Sequence, residues 1–92
     1  MRSVLQKDDK CFYCRMAEGT EWHHLFPGRP NRAHSEADGL KVLLCWPCHW
    51  KVHNDTQVSG QMMTELKQEG QRAYEETHSR EDFMRRYGRS LL

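Results

Sequence analysis

A small α+β zinc domain is the fold class that three features of this chain predict together. They are two Cys-x-x-Cys knuckles, two strand-length apolar runs lying between them, and a proline-free helical tail. Cys11, Cys14, Cys45 and Cys48 use every cysteine in the sequence. Each knuckle points two sulfurs at one centre, and four thiolates suit tetrahedral zinc at about 2.3 Å per bond. The size of the chain makes such a cross-link necessary. At 92 residues, with 37% hydrophobic residues and a mean hydropathy of −0.95, it has apolar material for one thin core. A structural zinc contributes on the order of 10 kcal/mol to folding. Two disulfides, or a redox-active pair, are the competing readings of the cysteines. The start, MRSVLQKDDK, lacks a hydrophobic signal region, which argues for a reducing, cytoplasmic setting.

Taken in order, residues 1–10 are polar and aperiodic and read as a frayed or loosely packed lead-in to the first knuckle. Glu21 to Phe26 and Gly39 to Cys45 are the two strand candidates; in the second, Leu40, Val42 and Leu44 share one face at period two. Together they predict an antiparallel hairpin. Its connection, Pro27 to Asp38, reads as a long loop of turn formers and charge, of the kind that more often carries function than not. Pro47 suits the first turn of a short helix to about His53. Beyond Asn54 and Asp55, Ser59 is placed to cap a helix to about Thr77. Its inward stripe would be Met62, Met63, Leu66, Ala73 and Tyr74, with Gly70 weakening the middle. Ser79 and Asp82 resemble a capping box for a last helix ending near Gly88, with Phe83, Met84 and Tyr87 inward. Residues 11–55 thus form the zinc-bearing core and 56–92 a helical tail, in one domain. Trp22, Trp46 and Trp50 are expected in the core, the usual place for aromatics in so small a domain; stacking on bases is the alternative use.

The charge balance excludes a global basic field, since 14 Lys and Arg stand against 13 Asp and Glu. Any phosphate contact must be local: Arg29 and Arg32 in the central connection are able to clamp a phosphate, whereas Arg85, Arg86 and Arg89 read as a solvated helix face, with phosphate binding as the alternative. No apolar run approaches the roughly 18 residues that span a bilayer, so no membrane role is expected. Six histidines are many for this length. His23 and His24 are adjacent on a strand and so point to opposite faces. His49 and His53 are four apart on a helix and so share a face, a spacing that suits one metal ion. One strand histidine can complete a three-nitrogen site, and the other is left as a base. His34 and His78 read as surface residues.

The pattern of a CxxC, His23-His24, a hydrophobic strand and then Leu44-Cys45-x-x-Cys48-His49-x-x-x-His53 resembles the HNH endonucleases, whose fold is the ββα-metal fold. More narrowly, HHLFPGRPNRAHSEADGLKVLLCWPCH with a tail closing on DFMRRYG is similar to small HNH-type proteins of tailed phages and prophages. Those are often grouped with RecA-dependent recombination nucleases. The resemblance implies that His23, His49 and His53 hold a catalytic divalent ion (Mg²⁺, Mn²⁺, Ni²⁺ or Zn²⁺). It implies that His24 is the general base in hydrolysis of a DNA phosphodiester, and that the setting is a bacterial host cell. The asparagine that orients the base in that family corresponds here to Leu40; Asp38 and Asn31 are the nearest polar replacements. Two other readings use the same residues differently. One is an inactive scaffold that binds nucleic acid or a phage or host protein such as a recombinase. The other is a purely structural zinc module.

Overall fold

The computed structural model describes residues 3–92, except for the side chains of residues 56–58. Its elements are β1 (Glu21–His24), α1 (Asn31–Asp38), β2 (Lys41–Leu44), α2 (Trp46–Asn54), α3 (Thr56–Tyr74) and α4 (Arg80–Tyr87). The two strands pair antiparallel, with Glu21 opposite Leu44 and His24 opposite Lys41. All four β2 residues are buried, so elements cover both faces of this small sheet. No helix of the described residues is long and apolar enough to cross a membrane.

The hairpin connection is not a loop: most of it is α1. Its eight residues contain no breaker, and Gly39 ends it in the left-handed region at φ 71°, which a residue without Cβ adopts freely. Its inward face is polar, with Asn31, His34 and Asp38 half-buried around Ser35. Ser35 is fully buried, and its Oγ both accepts from the Phe26 N–H and donates to the Phe26 carbonyl, each at 3.2 Å. That pair of bonds fastens α1 to the chain leaving β1.

The lead-in, from residue 3 on, is loosely packed and pinned at Gln6, while residues 7–10 are exposed. Gln6 is buried; its Oε1 accepts from the Leu43 N–H at 2.6 Å, and its Nε2 donates to the Lys10 carbonyl at 2.9 Å. It therefore serves backbone groups of β2 and of the approach to the first knuckle. Residues 1–2 lie outside the description.

The tail is two helices, as expected, but α3 begins at Thr56 and not after Ser59, whose Oγ instead donates to the Val52 carbonyl at 2.7 Å. Gly70 has a packing reason: a Cβ there would sit 2.7 Å from Leu25 Cδ1 and 3.4 Å from Phe26 Cε2. Met62, Leu66 and Tyr74 face the core. Ser79 caps α4, its Oγ accepting from the Asp82 N–H at 3.0 Å. Phe83 and Tyr87 are buried against Phe26, with ring centroids 5.5 and 4.6 Å away, whereas Met84 is exposed. The three tryptophans are not core: Trp22, Trp46 and Trp50 are 43%, 63% and 50% exposed. Leucines, phenylalanines and the cysteine cluster fill the interior of a chain this small.

Candidate metal centres and the cleft beside them

The four cysteine sulfurs lie within 4.8 Å of one another, and Cys14 Sγ is 3.8 Å from Cys45 Sγ. Sulfurs at about 2.3 Å from one tetrahedral centre stand about 3.8 Å apart. A disulfide needs about 2.05 Å, and all four thiols are free. The electrostatics point the same way. Burial opposes ionisation of Cys11, but N–H groups of Cys45, Cys14 and Tyr13 outweigh it and bring that thiol to about 6. Burial and the neighbouring sulfurs of Cys45, Cys11 and Cys14 push Cys48 far upward. Four crowded sulfurs cannot all ionise without a cation among them, and a cation such as zinc fits this donor set.

Local sequence explains how the second knuckle leads into the histidines. Cys45 is the N-cap of α2 and Pro47 lies in its first turn, so the knuckle turns directly into a helix. Cys48 and Val52 occupy the buried face of α2, and His49 and His53 another. On β1, His23 turns toward α2. Its ring centroid is 6.0 Å from that of His49 and 5.8 Å from that of His53. One donor nitrogen from each of the three lies within 4.8 Å of the others. The His49 and His53 Nε2 atoms are 3.1 Å apart, the chord between two ligands about 2.1 Å from one ion at roughly a right angle. Burial, then the neighbouring His53 and His49, lowers His23 to about 4. Burial likewise lowers His49. Both rings are therefore neutral near pH 7 and offer lone pairs, as ligation requires. The three imidazoles form a candidate metal centre separate from the sulfur cluster.

No protein-family model matches this chain, and no curated protein or solved structure matches it either.

His24 faces the other way, as strand alternation demands, but reaches the same cleft. A cavity of about 400 Å³ is bordered by Trp22, His23, His24, Arg32, His49 and His53. A second, of about 390 Å³, shares His24 and Arg32 with it and adds Arg29 and Glu36. His23, His24, His49, His53 and Arg32 thus share one cavity, and Arg29 lines a second cavity that His24 and Arg32 also border. Among the described residues neither arginine side chain has a partner.

Asp38 is not part of this group. Both its oxygens are engaged by Arg86, at 2.6 and 3.1 Å, and Oδ2 also accepts from the Tyr87 hydroxyl at 2.6 Å. The residue fastens α1 to α4. Asn31 is drawn to the same side, its Nδ2 donating to the Tyr87 carbonyl at 3.4 Å. Leu40 is fully buried. The carboxylate that does reach His24 is Glu36, whose Oε1 lies 2.8 Å from Nε2. Sequence reasoning missed it because twelve residues separate the two, and only the α1 helix turns Glu36 toward β1. His34 is half-buried, its Nδ1 3.2 Å from the Arg86 carbonyl oxygen, and His78 stacks on Tyr74 away from the cleft.

Proposed function

We propose that this chain is a metal-dependent phosphodiester hydrolase acting on DNA, built on an HNH-type ββα-metal core. The observation that carries the reading is the placement of His24. It borders the same cleft as the three-imidazole cluster, while the four sulfurs form a separate structural centre. In the reaction, a water gives a proton to His24, the resulting hydroxide oxygen bonds to phosphorus, and the bond from phosphorus to the leaving sugar oxygen breaks. That oxygen then takes up a proton from solvent. His23, His49 and His53 would hold a divalent ion, which would supply positive charge against the negative charge that builds on the phosphate. Arg29 and Arg32, without carboxylate partners of their own, hold phosphate oxygens at the rim.

Support for a polymeric substrate extends past the rim. Pro27 borders both the histidine cleft and a third depression that contains Lys67 and Arg89, two more cations without side-chain partners among the described residues. The other tail arginines are paired: Arg72 with Glu69, Arg80 with Glu75, Arg85 with Asp82 and Arg86 with Asp38. Cationic groups are thus left free beside the cleft, the local distribution that a nearly neutral chain needs to follow a phosphate backbone. The exposed Trp46 and Trp50, one turn apart on α2, offer ring faces to bases. They also favour the second reading, a scaffold that binds nucleic acid without cleaving it.

Supercoiled plasmid separates the two. Incubated with the protein and Mg²⁺, Mn²⁺, Ni²⁺ or Zn²⁺ in turn, it should be nicked with at least one ion, and nicking should weaken as salt rises. Retained binding with no nicking under any of the four ions would select the scaffold.

A further inference from the structure

We propose that Glu36, held from behind by Lys41, is the positioning residue that fixes the ring of His24 and its tautomer, leaving Nδ1 as the proton-accepting atom. This rests on the hydrolase reading for its purpose, though the contact itself does not. His24 and Lys41 are direct cross-strand partners, so their side chains rise from one face of the sheet. Trp22, two residues before His24, stands on that face too, and Lys41 Nζ lies 4.6 Å from the centroid of its ring. Above them α1 brings Glu36. One carboxylate oxygen, Oε2, accepts from Lys41 Nζ at 2.7 Å, and the other, Oε1, meets His24 Nε2 at 2.8 Å.

The order of these contacts decides what each does. The Lys41 side chain is only 5% exposed, and a buried ammonium holds its carboxylate partner strongly because losing it would leave an unpaired charge away from water. Glu36, itself half-exposed, is thereby kept from swinging into solvent. The Lys41 and His24 contacts, in that order, lower the Glu36 carboxyl to about 2, so it is ionised across the working range. An ionised carboxylate only accepts hydrogen bonds, so in neutral His24 the Nε2 carries the hydrogen and Nδ1 the lone pair. Nδ1 has no partner among the described residues and is not buried away from solvent. A base whose far nitrogen is tied to a fixed third group is oriented before substrate arrives.

The test combines proton NMR of the zinc-loaded protein with cleavage kinetics. The wild type should show a slowly exchanging, low-field His24 Nε2–H proton and nitrogen shifts that place the lone pair on Nδ1. Glu36→Ala should lose that proton and lower kcat about a hundredfold with little change in KM. Glu36→Gln, whose amide oxygen can still accept, should recover most of both. If Glu36→Ala fails to fold because Lys41 is stranded, the double variant Glu36→Ala with Lys41→Met removes the stranded charge and should show the same two losses. A hydrogen found on Nδ1 in the wild type, or a protected proton and full kcat in the folded alanine variant, would overturn the inference. Should no ion support cleavage while the proton still follows Glu36, the hydrolase reading fails and the positioning contact stands.

Discussion

Stripping the metal from Cys11, Cys14, Cys45 and Cys48 with a strong chelator is expected to unfold the protein. The expectation follows from where the sulfurs sit. Cys11, Cys45 and Cys48 are buried within the same apolar cluster as Val42, Leu44 and Val52, so the sulfurs that could hold an ion are part of the core. Without the ion, several thiols at chord distances of a tetrahedron would repel or desolvate one another, and the first knuckle would lose its tie to α2. A metal held by four thiolates contributes on the order of 10 kcal/mol, comparable to the whole stability of a small domain. Circular dichroism should therefore show loss of helix after chelation and recovery when zinc is returned, and Cys45→Ser should reproduce the unfolded state. A melt unchanged by chelation would contradict the structural role given to the sulfur cluster.

His24→Ala is expected to lower plasmid nicking by about 10²–10⁴-fold, the usual contribution of a general base, while leaving the fold and both metal centres intact. The structure explains why the substitution should be benign for folding. Glu36 keeps its bond to Lys41 when the imidazole is removed, so no buried charge is stranded. The three clustered imidazoles lie on the other face of β1 and on α2, and none uses His24 for support. Nicking measured beside a thermal melt and metal content checks this directly. An unchanged rate in a folded, metal-loaded variant would remove His24 from the chemistry.

Much of the site was legible because its parts are close in sequence. The CxxC spacing, the adjacent His23 and His24, and the one-turn interval of His49 and His53 each encode local geometry that survives folding unchanged. Ser79 and Gly88 marked the ends of α4 for the same reason. What escaped depends on partners far along the chain. The face by which α1 packs is polar, formed by Asn31, His34, Ser35 and Asp38, so no stripe of large apolar side chains announces it. Asp38 looked available until α4 brought Arg86 and Tyr87 onto it. Glu36 looked like one charge among many until α1 and β2 placed it between His24 and Lys41. The tryptophans lie outside the core, and hydrophobicity alone does not say which of several aromatics a small interior has room for. Phe26, Phe83 and Tyr87 take that space.

Anomalous diffraction from crystals grown with zinc tests most directly whether the chain carries two distinct metal centres. Two peaks per chain are predicted, one among the sulfurs of Cys11, Cys14, Cys45 and Cys48 and one among ring nitrogens of His23, His49 and His53, with His24 ligating neither. A single peak at the sulfurs, with His49 and His53 hydrogen-bonded to each other and no density between them and His23, would contradict the account.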